Sequence, residues 1–270
     1  MTAAGTAPPM SDVLARIVRG TRARLAATPI DLDALRERAR ATAPGPDALA
    51  ALSAPGVRVI AEVKRRSPSA GAIRAEADPV ALARAYAAGG AAAISVLTEP
   101  DHFGGALADL AAVAASVPTP CLRKDFFVAT RQVAEARTAG AALVLLIAAV
   151  LDDAELVALR EAAEALGMHA LVEAHDAREV DRAVASGARI VGVNNRDLRT
   201  FAIDLATCEG LRARIPSGIV AVAESGIEGP ADVARLRAAG YDVFLVGTAL
   251  MRSGEPAAAL AALVGARGAS

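Results

Sequence analysis

"VDRAVASGARIVGVNN", residues 180–195, decides the fold. An Ala-rich helical segment runs to Gly187, a small residue follows, and a β-branched run then closes on two asparagines. Glycine takes up the left-handed backbone that ends a helix without a Cβ clash, so Gly187 reads as a helix-to-strand crossing. The same phrase recurs in "ALARAYAAGGAAAISVLT" (81–98), "VAEARTAGAALVLLIA" (133–148), "AAEALGMHALVEA" (162–174) and "VARLRAAGYDVFLVG" (233–247), with Gly89, Gly140, Gly167 and Gly240 in the place of Gly187. Adding the apolar runs in "VRVIAEVK" (57–64), "TPCLRKD" (119–125) and "IVAVAES" (219–225) gives eight strands. Their expected starts lie near Val57, Ala92, Thr119, Ala142, Met168, Arg189, Ile219 and Asp242. The runs are continuous in hydrophobicity, as in a parallel sheet covered on both faces. Eight helix-strand units at this spacing predict an α/β fold, a (β/α)8 TIM barrel. An open doubly wound sheet calls for G-x-G-x-x-G after its first strand, and "KRRSPSAG" (64–71) lacks that spacing.

Before the first strand, "SDVLARIVRGTRARLAA" (11–27) and "DLDALRERARA" (31–41) are helical patterns, the first with a cap expected at Ser11 or Asp12. "TAPGPDALAALSAPG" (42–56) reads as a loop leading to the barrel. The expected organisation is one domain: a helical extension over 1–55 and a barrel over 56–265. The extension would cover either end of the barrel, with a part in substrate closure if it covers the carboxyl ends of the strands.

Of the 270 residues 54% are hydrophobic and 22% charged, with a net charge of −1. That balance argues against nucleic acid and against an anionic membrane as partners. The longest apolar stretch, "AGAALVLLIAAVL" (139–151), is shorter than the roughly 20 residues that span a bilayer. The N-terminus shows no basic segment leading into an apolar one, so no secretory signal is expected and a cytoplasmic enzyme is the default. Cys121 and Cys208 are far apart and read as plain buried or half-buried thiols. His102, His169 and His175 are scattered, read as loop or core residues, and no metal site is expected.

The strand ends carry the chemistry. Glu62 and Lys64 stand two apart, so a strand points both to one face. Lys124 and Asp125, then Glu173, then Asn194, Asn195 and Arg196, then Glu224, Ser225 and Gly226, then Gly247 and Thr248 close later strands. In a barrel all of them meet at one mouth, where charges ruinous in a dry core can face a substrate. Crowding is expected to lower a lysine's pKa and raise a carboxyl's, bringing both toward neutrality for acid and base steps. Gly226 and Gly247 at the ends of the last two strands, with exposed backbone N–H groups and a short helix N-terminus, suit a phosphate that the backbone approaches closely.

"VIAEVKRRSPSAG" (59–71) resembles the signature of the indole-3-glycerol phosphate synthase family. "SVLTEPDHFGG", "LRKDFFV", "LVEAHD", "GVNNRDL", "VAESGI" and "LVGTALM" agree with it in order, from about Leu14 through Arg252. The first signature is specific, whereas "ESGI" and "GTALM" are shared by many phosphate-binding barrels. The resemblance implies a carboxy-lyase of tryptophan biosynthesis that closes the ring of 1-(2-carboxyphenylamino)-1-deoxyribulose 5-phosphate, losing carbon dioxide and water. It implies Lys124 as general acid and Glu173 as general base and acid, with Glu62 beside it. Lys64 matches a residue that meets the substrate's carboxylate or phosphate and shares the acid work. Asn194 and Arg196 match residues that orient the anthranilate ring and brace the first loop through Ser67. Phe103 and Phe126 match apolar walls for the ring; Ser225, Gly226, Gly247 and Thr248 match the phosphate cradle. Thr248 stands where Ser is usual, and Asn195 where Ser or Thr is common. The resemblance implies no cofactor, a small phosphorylated substrate, and transient contact with other tryptophan-pathway enzymes. A phosphoribosylanthranilate isomerase or thiazole synthase would share the glycines without the Glu62, Lys64, Lys124 and Glu173 set, and a non-catalytic barrel would keep the glycines and lose the acids and bases.

Overall fold

A computed structural model describes residues 12–68, 70–198 and 200–266. Eight parallel strands close a barrel: β1 Arg58–Val63, β2 Ala93–Leu97, β3 Cys121–Lys124, β4 Leu143–Ile147, β5 His169–Ala174, β6 Ile190–Asn194, β7 Val220–Glu224 and β8 Val243–Val246. Each pairs with its chain neighbour, and β8 pairs with β1 to complete the ring. The strand starts lie within two residues of those expected. Strand residues are buried almost without interruption because helices cover the outside and side chains fill the inside.

Several helices begin where acidic caps accept their first free N–H groups. Asp152 and Glu155 form a reciprocal capping box on Asp153–Ala165, and Asp176 accepts the Glu179 N–H on Ala177–Ala185. Gly140, Gly167, Gly187 and Gly240 hold positive φ at the crossings, as their spacing predicts. Gly89 does not: its φ is −77°, and the left-handed residue is Gly90 at +91°. With two glycines in a row, the helix runs one residue further before it turns.

The extension folds as α1 Asp12–Ala27, α2 Leu32–Ala41 and α3 Ala48–Ser53. The expected cap at Ser11 or Asp12 rests on side chains outside the described residues. The stretch 42–56, expected as a loop, carries α3, whose first turn is held by the Asp47 carboxylate accepting the Ala50 N–H. Its flanking Pro and Gly residues masked a six-residue helix. Leu35 and Ala39 of α2 pack on Ala134 of the helix Thr130–Thr138. Arg24 of α1 pairs with Asp101 at 2.7 Å, and Arg131 donates to the Leu25 and Thr28 carbonyls. These contacts seat α1 at the carboxyl ends of the strands, which decides between the two placements left open by sequence. Among the described residues no helix is long and apolar enough to cross a membrane.

Candidate active site

A cavity of about 710 Å³ opens at the carboxyl ends of the strands, and Val13, Leu14 and Ile17 of α1 form part of its wall. Glu62, Lys64, Ser67, Phe103, Lys124, Phe126, Glu173, Asn194, Arg196, Ser225, Gly226, Gly247 and Thr248 all line it. Every side chain singled out from sequence for a role in chemistry or binding therefore reaches the same space. Asn195, to which no role was attached, is buried behind them. It donates to the Ser225 carbonyl and accepts the Cys208 N–H, so it supports the turn after β7.

Two Lys-Glu pairs dominate the floor. Lys64 Nζ lies 2.6 Å from Glu62 Oε1, and Lys124 Nζ donates to Glu173 Oε2 at 2.8 Å and to Glu224 Oε2 at 3.2 Å. The carboxyl beside Glu173 is thus Glu224, while Glu62, expected there, is held by Lys64. Room for these carboxylates comes from missing side chains. A Cβ on Gly192 would run into Glu224 Oε1, and a Cβ on Gly247 would run into Glu62 Oε1.

Burial disfavours charge on Lys124, Glu173 and Glu224, so their neighbours decide the outcome. For Lys124 burial favours the neutral amine, but the Glu173, Glu224 and Glu62 carboxylates outweigh it and hold the ammonium above the ordinary lysine range. The lowered lysine pKa expected from sequence is therefore wrong for Lys124, because its partners are carboxylates and not a second ammonium. For Glu173 burial favours the acid, but Lys124 and His175 hold its carboxyl well below the usual range. For Glu224 burial prevails over Lys124, with help from the Glu173 charge, and pushes the carboxyl up to about 8. The surroundings thus push the two carboxyls in opposite directions, Glu173 down and Glu224 up.

By sequence Glu224 stands among the strand ends with no role of its own, and His175 reads as a loop or core residue. His175 Nε2 lies 3.3 Å from Glu173 Oε1, which makes it part of the site's electrostatics. A signal for both existed. Glu224 closes its strand as Glu62 and Glu173 close theirs, and Glu173 and His175 stand two apart, the spacing that flagged Glu62 and Lys64.

The apolar wall is built by Phe103 and Phe126, whose ring centroids are 6.0 Å apart. Glu99, buried, accepts the Asp101, His102 and Phe103 N–H groups and so fixes the turn that carries Phe103. Asp125 accepts the Phe126 N–H while its other oxygen takes Thr98 and Arg123, which anchors the second ring and turns Asp125 to support. The Asn194 side chain accepts the Arg196 N–H, and the Arg196 guanidinium donates to the Phe201 carbonyl.

Opposite this wall, Ser225 and Gly226 hold φ of +65° and +78° in succession, and a Cβ on Gly226 would come within 2.5 Å of Ile203 Cγ2. A Gly226→Ala change should therefore strain the turn by about 1–2 kcal/mol and raise KM roughly tenfold with little change in kcat. Gly247→Ala should lower kcat as well, because the new methyl displaces Glu62. Steady-state kinetics of the two variants check this, and an unchanged KM in Gly226→Ala would remove the turn from substrate binding.

A family model of indole-3-glycerol phosphate synthase matches residues 14–263. The chain belongs to the indole-3-glycerol phosphate synthase family. Its relatives include the indole-3-glycerol phosphate synthase of Streptomyces griseus, 52% identical over 94% of this chain and 95% of that protein. The enzyme of the same name from Mycolicibacterium smegmatis is 50% identical over 93% of each chain. Among solved structures, a 3-hexulose-6-phosphate synthase superposes with a TM-score of 0.61 at 21% identity, covering 78% of this chain and 99% of that one. A thiamine phosphate pyrophosphorylase from Pyrococcus furiosus gives 0.59 at 18% identity, covering 77% of this chain and 93% of its own. At those identities the likeness speaks for the barrel alone. For this member of the indole-3-glycerol phosphate synthase family, the matched region takes in α1, so the helix over the mouth lies within the family's shared sequence.

Proposed function

We propose that this cavity closes the ring of 1-(2-carboxyphenylamino)-1-deoxyribulose 5-phosphate to give indole-3-glycerol phosphate, carbon dioxide and water. The observation that carries the reading is Lys124 Nζ set between Glu173 and Glu224, at 2.8 and 3.2 Å, on the floor of the cavity. Family membership supports the reaction, and the geometry supports the assignment of roles.

The carboxylate-bearing ring carbon must bond to the ketone carbon, so negative charge builds on the ketone oxygen. A buried ammonium stabilises that charge and transfers a proton to it, since an alkoxide is more basic than the amine it takes the proton from. Lys124 fills this role. Carbon dioxide then leaves with its bonding electron pair returning to the ring. The new hydroxyl leaves as water once it gains a proton, while a base removes the proton whose loss forms the last double bond. Glu173, held ionised, is the base, and Glu224, holding its proton near neutrality, is a donor for the departing hydroxyl. Lys64 faces the substrate's carboxylate or phosphate and shares the acid work, with Glu62 fixing its position. Phe103 and Phe126 wall the aromatic ring, and Asn194 and Arg196 orient it, with Ser67 lining the first loop. Ser225, Gly226, Gly247 and Thr248 surround the phosphate.

A cytoplasmic location and transient contact with other tryptophan-pathway enzymes follow from the same family reading. Mixing the purified protein with the carboxyphenylamino substrate should produce indole fluorescence with one carbon dioxide released per ring closed. Substrate that binds without any rise in fluorescence would return the barrel to the class of metabolite binders.

A further inference from the structure

Lys124 poses a problem of symmetry. It lies between two carboxyls, both almost wholly buried, at distances differing by 0.4 Å, 2.8 against 3.2 Å. One cation cannot by itself decide which carboxyl keeps a proton, yet a base and an acid must be told apart for the reaction to run in order. The asymmetry lies on the far side of Glu173. His175 follows it by two residues and its Nε2 stands 3.3 Å from Glu173 Oε1, the oxygen that Lys124 does not hold. The contact is off the hydrogen-bond line, and among the described residues Nε2 has no hydrogen-bond partner. On the other side of the ring, Nδ1 lies 3.0 Å from Glu179 Oε2, and that same oxygen accepts the His175 backbone N–H at 2.8 Å. Glu179 is itself buried and fixed, its N–H donated to Asp176 at the start of its helix. Glu224, by contrast, has Lys124 on Oε2 and no hydrogen-bond partner on Oε1 among the described residues.

We propose that His175 is a positioning residue that assigns the charge: clamped between Glu179 and Glu173 as an imidazolium, it makes Glu173 the base and leaves the proton on Glu224. The inference rests on the roles given above to Glu173 and Glu224. Both ring nitrogens face carboxylates, which accept and do not donate, so a ring carrying two N–H groups is favoured, by a hydrogen bond at Nδ1 and by charge at Nε2. The charged groups bearing on it are Glu173 from β5 and Glu179 from the helix Ala177–Ala185, with Lys124 of β3 beyond Glu173. Burial alone would favour the neutral ring, but the two carboxylates raise its pKa to about 10. Sequence periodicity offers the same arrangement twice, since Glu62 and Lys64 repeat the carboxylate and cation two apart.

The test reads protonation directly and does not depend on turnover. In the wild-type protein, NMR of the imidazole should show His175 still protonated at pH 8; a neutral ring there overturns the proposal. Titration of the glutamate side-chain carboxyls, with Glu173 identified by the signal lost in Glu173→Gln, should show Glu173 rising by about one to three pH units in His175→Gln while Glu224 falls. Carboxyls that titrate alike in the two proteins refute it. His175→Gln should also lower kcat roughly tenfold at little cost in KM, with the acid limb of the kcat profile moved to higher pH. Glu179→Gln, which leaves His175 in place, should move both titrations the same way by a smaller step. If Glu173→Gln retains full activity while the titrations behave as described, the role of Glu173 fails and the charge assignment stands. If Glu173→Gln is inactive and the titrations do not move, the reverse holds.

Discussion

Lys124→Ala should lower kcat by about 10² to 10⁴ while the barrel stays folded and the substrate still binds. The size follows from two losses at one atom: the ammonium that stabilises charge on the ketone oxygen, and the proton that oxygen takes up. Binding should persist because the turn at Ser225 and Gly226, proposed to hold the phosphate, follows β7 and Phe103 follows β2, while Phe126, two residues after Lys124, keeps its own anchor to Asp125. The fold persists because the freed carboxyls face a cavity and can take up protons. Lys124→Arg sharpens the reading. It keeps a cation between Glu173 and Glu224 but gives up a proton far less readily than lysine. If proton transfer matters as much as charge, the arginine variant stays well below wild type while exceeding the alanine one. Single-turnover kinetics, with circular dichroism to verify folding, decide it: a Lys124→Ala rate within tenfold of wild type would exclude Lys124 as the acid.

Much of this site was legible from one rule applied to strands. A run such as Arg58–Val63 alternates faces, so polar residues at its end point together, and parallel strands closing on themselves bring all such ends to one mouth. Gly140, Gly167, Gly187 and Gly240 announced the helix-to-strand crossings because a positive φ leaves few alternatives to glycine. What sequence did not yield was the division of charge. Whether a lysine's pKa falls or rises depends on which neighbour is nearest, and Lys124 meets carboxylates from β5 and β7 that lie 49 and 100 residues away along the chain. The helix α3 escaped for a local reason, since Pro and Gly on both flanks outweighed a short apolar pattern. The double duty of Gly247 escaped as well: it reads as a phosphate glycine, yet its bare Cα also makes room for the Glu62 carboxylate.

Glu173→Gln should cost nearly as much in kcat as loss of Lys124, about 10² to 10⁴, and should do so with a small loss of stability. The amide keeps the shape and can still accept from Lys124, but it removes the base. Ordinarily, stripping one partner from a buried pair strands the other and costs about 3–5 kcal/mol. Here the second carboxyl limits the cost. Burial and the neighbouring Glu173 charge hold the proton on Glu224, so removing that charge lets Glu224 ionise and pair with Lys124 in its place. The variant should therefore keep a Lys124-Glu224 ion pair, with the Glu224 carboxyl falling from about 8 toward the ordinary range. The stability sign follows. Glu173, depressed in the folded state, contributes stability above the unfolded carboxyl pKa near 4.5 that is lost as pH falls through its lower folded value. Glu173→Gln should then track wild type most closely at low pH and fall behind above about pH 4.5, by less than a stranded ammonium would cause. Activity does not return with the new ion pair, since Glu224 reaches the cavity from β7 and not from the position Glu173 holds on β5. Chemical denaturation across pH, alongside turnover, separates the two effects. A variant both inactive and destabilised by several kcal/mol at neutral pH would mean that Glu224 does not take over the charge, and a variant active at the wild-type rate would take the base away from Glu173.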